Sequence, residues 1–159
     1  MRLLRWEEGR AEVDQLLRTR KLEHVPASEE LAGYLLAAAA RHIESARQIA
    51  ESDPMGSYQV SYDGARKALA AVLQIQGLRP TSLGGHYVIE ECLKAQLVKT
   101  VREIVDKFSV MRRIRNDNEY PQRPEDGVVA EEAFEQVDDA EAVLEGATKL
   151  VGVMPPYGT

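Results

Sequence analysis

The chain is poor in several residue types that particular protein classes require. Only one of its 159 residues is a cysteine, so an internal disulfide and a four-cysteine metal site are both excluded. Aromatic residues make up 6% of the sequence. The longest apolar run, residues 34–40, is far shorter than the roughly 20 residues that span a bilayer. The N-terminal residues lack the apolar region of a signal peptide, so we expect a cytoplasmic protein that does not enter a membrane.

Signatures of common catalytic and metal sites are also missing. The sequence contains no glycine-rich phosphate loop, no Gly-x-Ser-x-Gly elbow and no His-Glu-x-x-His motif. Its three histidines, His24, His42 and His86, are widely separated, so no local spacing supports a metal site. The net charge of −6 argues against a protein that coats nucleic acid over a broad surface. We therefore expect no metal and no cofactor, and only a local site for nucleic acid.

Residues that favour helices are abundant. Alanine, leucine, glutamate and arginine are frequent, and they lose little side-chain freedom in a helix. Apolar residues recur at helical spacing, and no stretch has a convincing strand pattern. The sequence therefore predicts one all-α domain over residues 1–151, an up-and-down bundle of about five helices. The tail, residues 152–159, is expected to be irregular and mobile.

Capping and turn residues predict where the helices end. Ser28 is the expected N-cap of the second helix, and Gly77 the expected stop after the third. A fourth helix begins at His86, and the pattern leaves open whether it continues to the later arginines or breaks near residues 99–100. The predicted helices cover residues 3–22, 28–52, 55–76, 86 onward and 128–151.

A cationic segment, residues 107–120, is the most informative part of this acidic chain. Arginine suits phosphate because its planar fork donates two parallel hydrogen bonds. The alternative is structural, because cations also stabilise the C-terminal end of a helix that stops before a proline. Helical spacings of three and four place these polar side chains on one broad face: Arg112, Arg115, Asn116, Glu119 and Tyr120.

Two parts of the sequence resemble HEPN domains. Residues 61–73, followed by Gly77-Leu78-Arg79-Pro80 and by Gly85-His86, resemble the central helical hairpin of that family. Residues 115–121, Arg-Asn-Asp-Asn-Glu-Tyr-Pro, resemble the motif region near the end of its next long helix. The ordered set of segments covers most of the chain, from residue 31 to residue 151.

The resemblance implies an up-and-down bundle that pairs as a homodimer. Ribonuclease members carry a motif in which an arginine is followed, after four to six residues, by a histidine. The two copies of this motif meet across the dimer, and the cleft that they form cuts RNA without metal. Many other members are non-catalytic, and the family includes phage-defence and toxin–antitoxin proteins, often beside a nucleotidyltransferase. We therefore expect a composite, arginine-rich cleft that binds RNA, a nucleotide or a partner protein, such as a nucleotidyltransferase-type or other antitoxin.

The sequence departs from the ribonuclease pattern within the motif. Arg115 takes the place of the motif arginine and Asn116 that of the polar residue after it, but Tyr120 stands where the histidine is expected. A tyrosine, with a reference pKa of about 10, is a poor base at neutral pH, where imidazole moves protons readily. The candidate catalytic residues are thus Arg115, Asn116 and Tyr120, with catalysis in doubt. The alternative is a metal-independent ribonuclease toxin that uses Arg115 with Tyr120 or His86.

Five further residues are candidates for binding RNA or another ligand. Arg112 and Glu119 share the motif helix, and Tyr62 and Arg66 lie one turn apart on the helix expected to face it. For that pair the alternative is a core tyrosine and a solvated arginine. His86 follows a flexible Gly-Gly pair and could present its ring to the site, or it could cap or pack the start of its helix. The sequence gives no distance between His86 and Arg115.

Overall fold

A computed structural model of the chain describes residues 8–97 and 101–158. This part of the chain is mostly helical, which confirms the predicted helical class. None of its helices is long and apolar enough to cross a membrane. Its elements are, in chain order, α1 (Arg10–Arg18), β1 (Leu22–His24), α2 (Glu29–Ile49), α3 (Pro54–Ile75), β2 (Leu78–Pro80), α4 (Tyr87–Gln96), α5 (Glu103–Glu119), a 3-10 turn (Pro124–Asp126) and α6 (Ala130–Val151).

The expectation of a strand-free chain is wrong, because β1 and β2 form a small antiparallel sheet. Leu22 lies opposite Pro80, and Glu23 lies opposite Arg79, with which it forms an ion pair of 2.6 Å. Each strand has only three residues, too few for an alternating pattern to stand out. The strands also lie far apart in the chain, so the sequence contains no hairpin turn that would predict their pairing.

Helix α3 occupies the centre of the bundle, where it packs on α2 and α6 and also contacts α5. The close approach of α2 and α3 depends on small residues. A Cβ atom added to Gly64 would lie 3.0 Å from Ile43 Cγ1 and 3.1 Å from the Ala39 carbonyl oxygen. Because α3 is covered on several sides, most of its residues are buried.

Local capping chemistry places the ends of the central helices. The Ser28 hydroxyl accepts a hydrogen bond from Leu31 N at 3.0 Å, which confirms the predicted N-cap. Gly77 adopts φ 75°, in the left-handed region, as expected for a residue that stops a helix. Helix α4 ends at Gln96 and α5 begins at Glu103, so the fourth predicted segment is two helices. Of the first predicted helix, residues 3–7 lie outside the described residues.

The tail after α6 is irregular, and several of its residues contact the bundle. Met154 belongs to the hydrophobic core, and Tyr157 N donates to the Gln76 carbonyl oxygen at 2.8 Å. The Tyr157 hydroxyl donates to Asp14 Oδ1 at 2.6 Å. These contacts join the tail to α1 and to the end of α3.

Candidate functional site

Arg115 lies where α5 passes the outer edge of α3. Its guanidinium carbon is 5.5 Å from the centroid of the Tyr62 ring, within the range of a cation–π contact. Its Nε donates to Gln59 Oε1 at 3.0 Å, and its Nη1 is 2.7 Å from Glu119 Oε2. The arginine and tyrosine singled out from separate parts of the sequence are therefore in contact.

Tyr62 links the site to the core. Its buried ring stacks on Phe108, with ring centroids 5.3 Å apart and planes inclined by 11°. Its hydroxyl forms a hydrogen bond with His86 Nδ1 at 3.2 Å. Burial raises the pKa of Tyr62, while Arg115 and other nearby arginines oppose that rise, so the phenol stays neutral at physiological pH. Tyr62 is thus both a core residue and the floor of the site.

His86 reaches the same cluster from the start of α4. The residue occupies the N-cap position, but its side chain makes no capping hydrogen bond, and its ring centroid lies 6.1 Å from that of Tyr62. Burial lowers the pKa of His86, as do the charges of Arg66 and Arg115, while Asp63 raises it. The imidazole is therefore neutral near pH 7, and the distance that the sequence left open is short enough for one tyrosine to bridge His86 and Arg115.

Arg66 completes what we call the cationic cluster: Tyr62, Arg66, His86 and Arg115. Its Nε lies 3.7 Å from Asp63 Oδ1, longer than a hydrogen bond, and has no hydrogen-bond partner within the described ranges. A guanidinium that is only loosely held by its neighbour keeps donors for a ligand. The alternative of a fully solvated arginine does not hold, since the side chain is mostly covered.

Arg112, a candidate ligand-binding residue, pairs with a buried carboxylate. Its Nε forms an ion pair with Glu90, whose side chain is only 1% exposed, and its guanidinium lies 5.2 Å from the Tyr87 ring centroid. The Ser109 hydroxyl donates to the other Glu90 oxygen at 2.8 Å. Arg112 therefore neutralises the core side of the site, and its Nε is not free for a ligand.

Sequence reasoning missed Glu90. One signal was present, because Glu90 precedes Leu93 by three residues and Leu97 by seven, which places it on the apolar stripe of α4. A carboxylate on a buried stripe needs a cation. The sequence alone did not indicate that Arg112 would supply it.

The remaining candidates lie at the edge of the cluster or away from it. Asn116 is exposed and accepts a 3.4 Å hydrogen bond from Arg115 Nη1. Tyr120, the residue in the histidine position, follows the last residue of α5 and is 77% exposed. It makes no hydrogen bond or ring contact with other described residues. Within one chain, the imidazole nearest Arg115 is thus that of His86.

An apolar groove of about 520 Å³ opens beside the cluster, between α2, α3 and β2. Leu31, Leu35 and Ala70 line it, and Arg66 and His86 stand at its border with the cluster. Its volume is within the range of small-molecule sites. The described residues contain no group of histidine, cysteine and acidic side chains that could hold a metal ion.

The cluster has the chemistry of an anion site in an otherwise acidic protein. Two arginines and a neutral imidazole surround one aromatic ring, and Glu119 is the only carboxylate bonded to Arg115 among the described residues. Charge-assisted hydrogen bonds from arginine are the typical way in which proteins hold phosphate. Comparison of the chain with protein-family models, curated proteins and solved structures gave no significant match.

Proposed function

We propose that the chain is a HEPN-type module that binds the phosphate groups of RNA or of a nucleotide at the cationic cluster. The observation that carries the proposal is the convergence of Arg66, Arg115 and His86 on the buried ring of Tyr62. The two sequence segments that resemble HEPN domains supply these residues, and they meet in the fold. Catalysis is not part of this proposal, because Tyr120 stands in place of the motif histidine.

The donors of the cluster fit a phosphate that enters from solvent. The Arg66 side chain is 26% exposed and makes no hydrogen bond among the described residues. His86 makes its one side-chain hydrogen bond there through Nδ1, which leaves Nε2 without a partner. Arg115 would contribute its guanidinium after the phosphate displaces Glu119. Since a carboxylate and a phosphate are both acceptors, Glu119 acts as a competitor that holds Arg115 in place until the ligand arrives.

The apolar groove gives the same ligand room for a base. A nucleobase between Leu35 and Ala70 would leave its phosphate near Arg66 and His86, which border that groove. Single-stranded RNA presents unpaired bases of this kind, whereas a duplex hides them. The local character of the site also agrees with the acidic chain, whose charge repels duplex over most of its surface.

A second copy of the chain belongs to the proposal. Asn116 and Tyr120 are exposed at the end of α5, beside Arg115, where a partner copy would complete a composite cleft. Such a cleft would serve a toxin–antitoxin or defence setting, with an antitoxin such as a nucleotidyltransferase as a further partner. Sedimentation at micromolar concentration should give twice the mass of the chain, and a monomer would remove the composite cleft.

The direct test of the proposal is the binding of a labelled twelve-nucleotide single-stranded RNA, followed by fluorescence polarisation. Arg115→Ala should weaken binding about tenfold, because a charge-assisted hydrogen-bond pair is lost. Arg41→Ala is the matched control, since Arg41 is exposed on α2 and lies outside the cluster. Equal losses of RNA affinity in the two variants would show that the effect comes from the net charge of the protein and not from the cluster. Competition by AMP and by inorganic phosphate separates a nucleotide site from an RNA site.

A second candidate function is the metal-independent ribonuclease, and the hydrogen bond between Tyr62 and His86 favours it. If the Tyr62 hydroxyl donates to Nδ1, His86 Nε2 carries a proton and can only donate to phosphate. If Nδ1–H donates to Tyr62, Nε2 is left to take a proton from a ribose hydroxyl. Nitrogen chemical shifts of the imidazole distinguish these tautomers.

Incubation of RNA with the protein and a chelator tests this second function. A ribonuclease built on the cluster should lose activity in Arg115→Ala and in His86→Ala, while Tyr120→Phe should retain it. Intact RNA with the wild-type protein would leave binding as the function of the site. Loss of cleavage in Tyr120→Phe with full activity in His86→Ala would instead make the exposed tyrosine the catalytic group.

A further inference from the structure

On the side of α5 that faces α6, a groove of about 560 Å³ runs between the two helices and the loop that connects them. It lies away from the cationic cluster, and its walls are rich in carboxylates. We call it the acidic groove. Its acidic lining residues are Asp117, Glu125, Asp126, Glu132, Glu135 and Asp139.

Three of these six carboxylates have neither an ion pair nor a hydrogen bond within the described residues. Asp139 pairs with Lys107 at 3.3 Å and Asp126 with Arg123 at 3.2 Å, while Glu132 accepts a hydrogen bond from the Val129 amide. The other three, Asp117, Glu125 and Glu135, form no ion pair within residues 8–97 and 101–158. Burial raises the pKa of Tyr58 at the groove, and so do Asp139 and Glu132. The groove therefore keeps a strong negative potential.

Two buried amide side chains in the same groove have nitrogens without a hydrogen-bond partner among the described residues. Asn118 on α5 and Gln136 on α6 are each 4% exposed, and both line the groove. The side-chain nitrogens, Asn118 Nδ2 and Gln136 Nε2, bond to nothing in the described part of the chain. Proteins rarely leave buried polar atoms unpaired, because their lost hydration is not repaid. These two nitrogens are independent of the carboxylates and point to a ligand that brings hydrogen-bond acceptors.

Apolar surface completes the groove. Val110 and Ile114, one turn apart on α5, are 45% and 37% exposed and lie along its wall. A ligand that fits all three features carries positive charges, carbonyl oxygens and an apolar side chain. A metal ion brings neither acceptors nor an apolar group, and RNA brings the wrong charge.

We propose that the acidic groove docks a basic peptide segment of a partner protein. Its arginine or lysine side chains would pair with Asp117, Glu125 and Glu135. Its backbone carbonyl oxygens would accept from Asn118 and Gln136, and a leucine-like side chain would cover Val110 and Ile114. This proposal does not rest on the function of the cationic cluster, since the two sites lie on opposite sides of α5.

Fluorescence polarisation with a labelled octapeptide of alternating arginine and leucine tests the proposal on the full chain. Glu135→Lys should weaken binding at least fivefold, because an unpaired carboxylate of the groove becomes a cation. Glu51→Lys makes the same change of net charge at an exposed position outside the groove, and its affinity should stay within twofold of wild type. A peptide with serine in place of leucine should bind at least threefold more weakly, since it cannot cover Val110 and Ile114.

Side-chain amide signals in nitrogen–proton NMR spectra locate the peptide. We expect the Asn118 and Gln136 signals to shift on titration of the wild-type protein. Unchanged amide signals, or equal losses of affinity in Glu135→Lys and Glu51→Lys, would overturn the proposal. Spermidine serves as the competing small polycation. If it displaces the peptide completely and the serine peptide binds as tightly as the leucine peptide, the groove is a polyamine site rather than a docking site.

Discussion

The two long sides of helix α5 differ in the sign of their charge and in how the protein satisfies it. On one side Arg112 and Arg115 meet α3 and α4, and on the other Asp117 and Asn118 meet α6. Residues two or three positions apart on one helix therefore serve sites of opposite chemistry. The net charge of −6 is a sum over the whole chain, so it does not reveal the cationic side of α5.

The partners of the charged groups differ even more than the charges. Arg112 and Arg115 each have a carboxylate of the protein, Glu90 and Glu119, as a partner. The acidic groove leaves three carboxylates and two buried amides unpaired within the described residues. These carboxylates thus position the arginines before a ligand binds, but they also compete with the ligand for the arginines. In the acidic groove, Asp139 and Asp126 have such partners in Lys107 and Arg123, while the other carboxylates of the groove form no ion pair among the described residues.

The largest effect should come from breaking the ion pair that supports the cationic side. Arg112→Ala leaves Glu90 buried without its closest cation, and we expect a loss of roughly 3 kcal/mol in the free energy of unfolding. Lys94, 3.7 Å from Glu90, keeps the loss at the lower end of the usual range. Urea denaturation measures it, with the exposed Arg113→Ala as a control that should change stability by less than about 0.5 kcal/mol.

A double variant sharpens this result. Glu90→Gln in the Arg112→Ala background removes the stranded charge, so part of the lost stability should return. A loss below 1 kcal/mol in Arg112→Ala, or no recovery in the double variant, would mean that the pair does not support the cluster.

The next largest effect should be that of salt on RNA affinity. The dependence of the affinity on salt concentration reports the number of phosphate contacts. With Arg66 and Arg115 each neutralising one phosphate, the slope of the logarithm of the RNA association constant against the logarithm of the salt concentration should be about −1.4. Arg115→Ala should halve that slope, while Glu135→Gln in the acidic groove should leave it unchanged. Binding titrations between 50 and 200 mM salt measure the slope, and a value near zero would exclude phosphate contacts.

Removal of the competitor should have a smaller effect of opposite sign. Glu119→Gln keeps the shape of the side chain but no longer pairs with Arg115, so RNA should bind about threefold more tightly. Glu135→Gln removes the same charge on the opposite side of α5 and serves as the control. Weaker RNA binding by Glu119→Gln would show that Glu119 positions Arg115 more than it competes with the ligand.

The smallest effect concerns the protonation of His86. Arg115 is one of the groups that lower the pKa of His86, so Arg115→Ala should move that pKa upward, toward 6.5. Since the folded protein holds the proton less readily than the unfolded chain, His86 lowers stability as the pH falls below 6.5. A pH titration of the imidazole signals measures the change. An unaltered His86 pKa in Arg115→Ala would show that the two residues do not interact, so they would not belong to one cluster.

The sequence predicted those features that depend only on residues close to one another along the chain. Ser28 and Gly77 were found because an N-cap and a left-handed stop need only their own helix end. The break between α4 and α5 stayed open, because apolar residues continue across it at helical spacing. The β1–β2 sheet was missed, since its three-residue strands have no pattern of their own.

The same holds for the two sites: their residues could be named from the sequence, but most of their contacts depend on tertiary packing. Arg115, Tyr62, Arg66 and His86 were each named from the sequence, but their contacts depend on how α3, α4 and α5 pack. Glu132, Glu135 and Asp139 share a face of α6 at spacings of three and four, which the sequence alone could have revealed. Only the packing of α5 on α6 brings Asp117 and Asn118 beside that face.

The most direct test of the central claim is an NMR titration of the labelled protein with the twelve-nucleotide RNA, observing arginine Nε–H, imidazole and side-chain amide signals together. If the cationic cluster binds phosphate, the signals of Arg66, Arg115 and His86 should shift in proportion to binding. The Asn118 and Gln136 amides, on the opposite side of α5, should not move. Shifts of those two amides without shifts at Arg115 and His86 would contradict the claim.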